Sequence, residues 1–325
     1  AAILWLVWFL FNRAWQKGLI FGALNFVLLE VRFPKVLETI NPDKEKEKLL
    51  IMEQFYNSLT NLLREKNGLF KPKQYLIFEI AVPEEGEEIG FYLAIPKKLE
   101  SAARRQIQGF FPEAEISAVS DYNIFNREGV SIGSILKTKR NYILPFQTYK
   151  KLEASTLGLI TNSMSLLQER GEGTALQILI KPAGASSKSD AVKVIRRLFE
   201  GKSLDEGLGE LESPVSFIGN IREFWSVKKP EEIKKPELAA ATPMLKELIG
   251  EIDNKAKQNL FAVNIRILAS AKTEEEAAQI LSNVENAFAQ FESPDSNSFY
   301  GYRPIKKNLK SLIYNFSFRL WSNKE

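Results

Sequence analysis

The sequence predicts an α+β fold in which the order strand–helix–strand–strand–helix–strand occurs twice behind an N-terminal membrane helix. Three observations lead to this prediction. Residues 1–11 are continuously apolar. Beyond them, segments that alternate apolar and polar residues are followed by segments with helical spacing of apolar residues. The same order of elements returns from residue 126, where one long insertion interrupts it.

The N-terminal apolar run is shorter than a complete membrane span, which takes roughly 20 apolar residues. Three interpretations are open: the C-terminal half of a transmembrane helix that starts outside this chain, an interfacial helix, or a buried core helix. The first is favoured because no polar N-cap residue precedes the run. The predicted anchor, within a segment over 1–22, consists of Ile3, Leu4, Trp5, Leu6, Val7, Trp8, Phe9, Leu10 and Phe11.

A basic and aromatic border follows the apolar run. Arg13 and Lys17 flank Trp15. Basic residues favour the cytoplasmic side of a membrane, and Trp favours the interface. We therefore expect these three residues at the membrane interface and the rest of the chain in the cytoplasm.

The first predicted domain covers residues 23–125. Pro34 ends its first strand, and Asn67-Gly68 stops its first helix. Its predicted strands are 24–33, 74–82, 89–95 and 114–119, and its predicted helices are 44–66 and 97–110. The resulting βαββαβ order is the ferredoxin-like arrangement.

The second predicted domain covers residues 126–325 and repeats this order. Its predicted strands are 130–139, 174–181, 261–269 and 311–320, and its predicted helices are 151–170 and 273–291. The closing strand rests on alternation of apolar residues from Leu312 to Leu320. An insertion over about 183–258 contributes helices at 188–200 and 243–257 around an exposed charged tract. Two tandem ferredoxin-like domains are the economical interpretation.

Composition excludes several kinds of chemistry. The chain has no Cys and no His, which rules out thiolate nucleophiles, His-containing triads, and metal sites built on either residue. A carboxylate-only Mg²⁺ or Ca²⁺ site is left open. Gly201-Lys202-Ser203 resembles the end of a phosphate-binding loop, but Arg196 stands where that motif needs Gly. We predict no catalytic, cofactor-binding or metal-ligating residue, and no cofactor.

Four segments resemble a known family. They are VLLEVRFPK at 27–35, FYLAIPKKLESAARRQIQGFFPEAEI at 91–116, LQILIKP at 176–182, and VNIRILASAKTEEEAAQIL at 263–281. They are similar to the N-terminal, non-ATPase region of bacterial membrane-bound ATPases of type IV secretion and conjugative DNA transfer. The resemblance implies the bacterial inner membrane, a motor domain beyond residue 325, and no catalytic residue in this chain.

The leading functional hypothesis is a non-catalytic, membrane-anchored assembly or adaptor region of a DNA-translocating ATPase. Its expected partners are the membrane, further copies of the chain and secretion-system proteins, with nucleic acid contacted only through the motor. Two alternatives stay open: a structural subunit of an envelope complex without a motor, and a small-ligand sensor built from paired ferredoxin-like domains.

Overall fold

The computed structural model describes residues 25–34, 42–63, 74–84, 88–148, 151–152, 156–165, 171–184, 186–212, 243–293, 296–323 and 325. Within them eight strands form one sheet, and every pairing in that sheet is antiparallel. The protein is therefore a mixed α/β structure around a single antiparallel sheet.

The strands and helices are numbered here in chain order. The strands are β1 (Phe26–Arg32), β2 (Leu76–Val82), β3 (Gly90–Pro96), β4 (Glu115–Val119), β5 (Val130–Thr138), β6 (Gly173–Pro182), β7 (Phe261–Ala271) and β8 (Phe299–Tyr302). The helices are α1 (Pro42–Leu63), α2 (Glu100–Phe110), α3 (Thr156–Ser165), α4 (Ser186–Phe199), α5 (Leu204–Glu212), α6 (Pro243–Lys257), α7 (Glu274–Ala287) and α8 (Lys306–Ser317).

The strand order across the sheet is β4-β1-β3-β2-β6-β7-β5-β8. The first four strands in this order come from residues 26–119 and the last four from residues 130–302, and these two parts of the chain are called the first and the second half. The halves meet where β2 pairs with β6, in a register that runs from Leu76 opposite Ile180 to Val82 opposite Thr174. The hydrogen-bonded ladder is therefore continuous from one half into the other.

The two faces of the sheet are covered differently. The first face carries Leu29, Phe78, Ile178 and Ile267, and packs against α1, α2, α3 and α7. The second face carries Ala81, Ala175 and Leu268, and packs against Leu312 and Phe316 of α8. Since the central strands β2 and β6 are covered on both faces, apolar residues dominate them instead of alternating with polar ones.

The predicted closing strand at 311–320 is wrong, because these residues belong to helix α8 and its C-terminal end. Leu312, Phe316 and Leu320 are buried, whereas Tyr314 and Phe318 are 43% and 38% exposed. Spacing by four residues is contained in spacing by two, so the pattern fits a helix face as well as a strand. The strand that closes the second half is β8, which pairs with β5.

The insertion between β6 and β7 forms a small helical layer with its own core. Val194 and Leu198 of α4 pack with Ile249 and Ile252 of α6, and Leu144 closes the cluster. Helix α5 lies where the sequence predicts a loop, whereas α4 and α6 lie where helices are predicted. The charged tract at 228–237 falls outside the described residues.

Candidate functional site

A row of polar residues crosses the centre of the second face. Glu79 of β2 lies opposite Gln177 of β6, and Gln177 lies opposite Arg266 of β7. All three are almost completely buried, with relative exposures of 2%, 0% and 0%. Buried polar groups at three successive strands are stable only when their hydrogen bonds are satisfied inside the protein.

Glu79 is the acceptor at the centre of this row. Its Oε1 accepts from Gln177 Nε2 at 2.7 Å and from Arg319 Nε at 2.9 Å. Its Oε2 accepts from Arg319 Nη2 at 2.9 Å and from Tyr122 OH at 3.1 Å. The arginine contact is bidentate, the strongest geometry for a carboxylate pair. Both carboxylate oxygens thus accept two hydrogen bonds each, from three different segments of the chain.

The charge pair also shifts its neighbours. Burial lowers the pKa of Arg319, but the Glu79 and Asp121 carboxylates raise it more, so the net shift of this pKa is upward. Burial, followed by the Glu79 charge, raises the pKa of Tyr122 well above its usual range. Arg319 therefore stays charged and Tyr122 stays neutral, as the hydrogen bonds to Glu79 require.

Arg266 holds the C-terminal segment against the same row. Its Nη1 donates to Gln177 Oε1 at 3.0 Å, and its Nη2 donates to Leu320 O at 2.6 Å. Its Nε pairs with Glu325 Oε2 at 2.5 Å. Burial lowers the pKa of Arg266, and the Glu325 carboxylate offsets part of that effect. The fully buried Arg266 guanidinium therefore links strand β7 to Asn315, Leu320 and Glu325.

The end of α8 adopts an unusual backbone conformation. Arg319 has φ of +53°, in the left-handed region that usually holds Gly after a helix. A non-Gly residue there costs about 1 kcal/mol or more, and persists when surrounding contacts over-determine it. Here the side chain is fixed by Glu79 and by Asp121 at 2.6 Å, and the carbonyl accepts from Tyr75 OH at 2.9 Å.

A cleft of about 250 Å³ opens beside this helix end on the second face. Leu28, Ala94 and Val119 form its apolar floor, and Asp121 lies at its rim. Ser317, Phe318 and Arg319 form the opposite wall. Asp121 is 65% exposed, so its carboxylate reaches solvent while Arg319 holds one of its oxygens. The cleft therefore combines an apolar floor with the Asp121–Arg319 ion pair at its edge.

The helical insertion contains a second unusual polar residue. Lys255 Nζ donates to Tyr142 O at 2.5 Å and to Leu144 O at 3.0 Å. Burial lowers the pKa of Lys255 to about 8. Because two backbone carbonyls hold this ammonium group, its geometry is that of a tie between α6 and the segment after β5.

Most residues predicted from the sequence to be functional lie outside the described part of the chain. This applies to the whole anchor over 3–11 and to Arg13, Trp15 and Lys17. Within the described residues, no helix combines the length and the apolar character needed to cross a membrane. The same residues contain no group of three or more carboxylates arranged to hold a metal ion.

The phosphate-loop look-alike is a turn between two helices. Gly201 lies in the turn that follows α4 and has a φ of +83°. Ser203 Oγ accepts from Glu206 N at 3.3 Å, and Ser203 N donates to Glu206 Oε2 at 2.8 Å. This reciprocal pair is a capping box for α5, so the residues serve helix geometry.

Sequence reasoning missed the polar row, although a signal was present. Glu79, Gln177 and Arg266 each stand near the middle of a predominantly apolar strand: LIFEIAV, GTALQILIKP and FAVNIRILASA. A charge at the centre of a strand buried on both faces requires a partner. Strand register was needed to see that the three residues partner one another.

Comparison with protein families now places the chain. The family described as a domain of unknown function, DUF8128, matches it over residues 30–323. The chain belongs to the DUF8128 family. The match spans both halves, the insertion and α8, so the polar row lies wholly within the family's domain. No curated protein matches the chain.

Proposed function

We propose that this DUF8128 domain is a non-catalytic assembly and adaptor region. The observation that carries the proposal is the role of the buried polar row: its three residues hold α8 and the segment after it to the sheet through hydrogen bonds with Phe316, Arg319 and Leu320. Such a network stabilises one arrangement of the two halves. This fixed arrangement supports the proposal of a rigid platform that presents its edges and helix faces to other proteins.

We further propose that each half is a ferredoxin-like unit. The strand order supports this proposal. It is β4-β1-β3-β2 in the first half, and the second half has the same order read in the opposite direction, β6-β7-β5-β8. In both halves the first strand of the unit lies between the third and the fourth, as the split βαβ arrangement requires. The insertion of α4, α5 and α6 then falls between the second and third strands of the second unit.

The cellular setting we propose is the bacterial inner membrane, in the machinery of a DNA-translocating ATPase of the type IV secretion class. The four sequence segments that resemble this class support it, together with the apolar run at 1–11. In this setting the membrane, other copies of the chain and secretion-system proteins are its partners. Contact with nucleic acid belongs to the motor.

Membrane attachment is tested with the full chain expressed in bacteria. We expect the protein in the membrane fraction after alkaline carbonate washing. Leu6→Asp with Val7→Asp should move it to the soluble fraction, because each charge at the centre of an apolar span costs about 2.5–3.5 kcal/mol. The matched control is Lys48→Asp with Glu53→Asp on α1, which should leave the distribution unchanged. A wild-type chain that is soluble from the start contradicts the membrane proposal.

The cleft favours a second candidate function, the sensing of a small ligand. In this proposal the apolar floor would hold a short alkyl chain, and its amine or guanidine end would contact the solvent-facing side of Asp121, which also pairs with Arg319. A ligand present at 100 times its Kd stabilises the folded state by about 2.7 kcal/mol. Thermal unfolding with agmatine and butylamine tests this, with Asp121→Asn as the control variant. No shift with either compound at millimolar concentration contradicts ligand sensing.

A further inference from the structure

The sheet ends in two exposed strands. β4 forms one border and β8 the other, and their residues are mostly exposed. Among the described residues, each border strand is paired with a neighbouring strand on one side only, so its outer side can accept another strand. On β4, Arg104 Nη1 donates to Ile116 O at 2.9 Å, so one backbone carbonyl of that strand already has a side-chain partner.

The two borders carry opposite charge. Residues 112–121, around β4, contain Glu113, Glu115 and Asp121 and no Lys or Arg. Residues 299–310, which include β8 and the start of α8, contain Arg303, Lys306, Lys307 and Lys310 and no Asp or Glu. We call these segments the acidic border and the basic border. Glu113, Glu115 and the three lysines are exposed.

Exposed apolar side chains accompany the charges. Tyr300 and Tyr302 in β8 are 47% and 42% exposed, and Ile305 just beyond is 70% exposed. Near the acidic border, Phe33 is 51% exposed and contacts Phe111 edge-on at 5.7 Å. Aromatic and aliphatic groups beside complementary charges are typical of the centre and rim of a protein interface.

We propose that the acidic border of one copy of this chain pairs with the basic border of a second copy, which extends the sheet from molecule to molecule. Asp121 is paired with Arg319 and Arg303 with Glu285, so the charges that act between copies are the exposed Glu113 and Glu115 on one border and the three exposed lysines on the other. Two like borders facing each other would repel through these charges. The contact is therefore head-to-tail, and such contacts build rings or open filaments. This inference rests on the proposed assembly function and names the partner and the surfaces involved.

The pairing is individually weak. β4 has five residues and β8 has four, so the shared ladder is short. Weak contacts of this kind act when copies are already held together, because tethering raises the effective concentration to the millimolar range. Dilute protein should therefore be largely monomeric at high salt and associate at low salt, where surface charges are screened less.

The absence of Cys makes the contact testable by cross-linking. Ser117 in β4 and Tyr300 in β8 lie on the second face of the sheet, near the middle of their strands. One preparation carries Ser117→Cys and the other Tyr300→Cys, and a short bis-maleimide is added to each alone and to the mixture. We expect a covalent dimer in the mixture at least tenfold above either preparation alone. Lys257→Cys on α6 replaces either variant as the control.

Charge reversal provides the second arm. Glu113→Lys with Glu115→Lys should abolish the cross-link to the Tyr300→Cys preparation, and Lys306→Glu with Lys307→Glu in that preparation should restore it. Circular dichroism checks that each variant is folded. The head-to-tail contact is overturned if each preparation alone gives as much covalent dimer as the mixture. It is also overturned if the charge reversals leave the yield of covalent dimer unchanged.

Light scattering of the same samples separates the two proposals. An oligomer that persists without the border cross-link leaves the assembly function standing and overturns this interface. A monomer under every condition, including on vesicles, overturns both.

Discussion

The ion pair between Glu79 and Arg319 should be the most sensitive point of the polar row. Glu79 is completely buried and the Arg319 side chain is 13% exposed. Removing one member of a buried pair leaves the other without compensation and costs about 3–5 kcal/mol. We expect that loss for Glu79→Gln and for Arg319→Met. Glu79→Gln sets an amide NH₂ group against the donors Arg319, Tyr122 and Gln177, whereas Arg319→Met leaves the Glu79 carboxylate without its guanidinium partner.

The double variant Glu79→Gln/Arg319→Met should lose much less than the sum of the two. It removes both charges together, and replacement of a whole buried pair is often close to neutral. We expect a loss of about 1–3 kcal/mol, which includes the weakened hydrogen bonds of Tyr122 and Gln177. The coupling energy should therefore exceed about 2 kcal/mol, a value typical of residues in one network.

Urea unfolding, followed by Trp fluorescence and far-UV circular dichroism, measures these losses as shifts of the midpoint at constant slope. The matched control is Glu30→Gln, which lies in the same transverse row of the second face and pairs with the exposed Arg32 at 3.0 Å. Because Arg32 is exposed, water screens this pair, and Glu30→Gln should shift the midpoint much less than Glu79→Gln. If the losses of the two single variants simply add in the double variant, the pair is uncoupled and the reasoning about the row is refuted.

Three further predictions concern other parts of the fold. Gly173→Ala should destabilise the protein by more than about 2 kcal/mol, because a Cβ there would lie 2.3 Å from the Ile124 carbonyl oxygen. Gly250 in α6 has open space around it, so Gly250→Ala should instead stabilise the protein by about 0.5–1 kcal/mol. Thermal unfolding distinguishes the two outcomes. Thr273→Ala removes the capping box of α7 and should cost about 1 kcal/mol in the same assay, whereas an unchanged midpoint would show that the cap is dispensable. Burial lowers the pKa of Lys255 from 10.5 to about 8, so the cost of burying its charge is fully present below pH 8 and disappears as the pH rises toward 10.5. Relative to Lys255→Met, the free energy of unfolding of the wild type should rise by up to about 3 kcal/mol across that window. Identical pH profiles of the two proteins contradict this assignment.

Periodicity was sufficient for most elements of the fold. Strands β2, β6 and β7 and helices α6 and α7 lie within a few residues of their predicted positions. These segments have long apolar patterns with clear stops, such as the Thr273 cap. Where the pattern is long and the ends are marked, local sequence and tertiary packing favour the same structure.

Periodicity failed where one pattern fits two structures. Leu312, Phe316 and Leu320 satisfy strand alternation and helix spacing together, and the choice is made by packing on Leu268 and Ile135. β8 is only four residues long and exposed, so it has no apolar pattern to detect. The strand that closes the second half could therefore be found only from its pairing with β5.

The candidate site could not be predicted because it depends on register between distant segments. Gln177 lies 98 residues after Glu79 in the sequence, and Arg319 lies 240 residues after it. Each alone in the sequence is a polar residue in an apolar setting. Only the alignment of β2 with β6, and the return of the chain after α8, turns them into one network.

The 240-residue separation between Glu79 and Arg319 has a consequence for biosynthesis. At 5–20 residues per second, a ribosome adds the arginine roughly 10–50 s after the glutamate. Throughout that interval the Glu79 carboxylate of the nascent β2 lacks the Arg319 guanidinium, so the second face of this strand cannot reach its final packing. Final consolidation of the earliest strands must therefore wait for the last helix, and this domain should depend on chaperones that shield open sheets during translation.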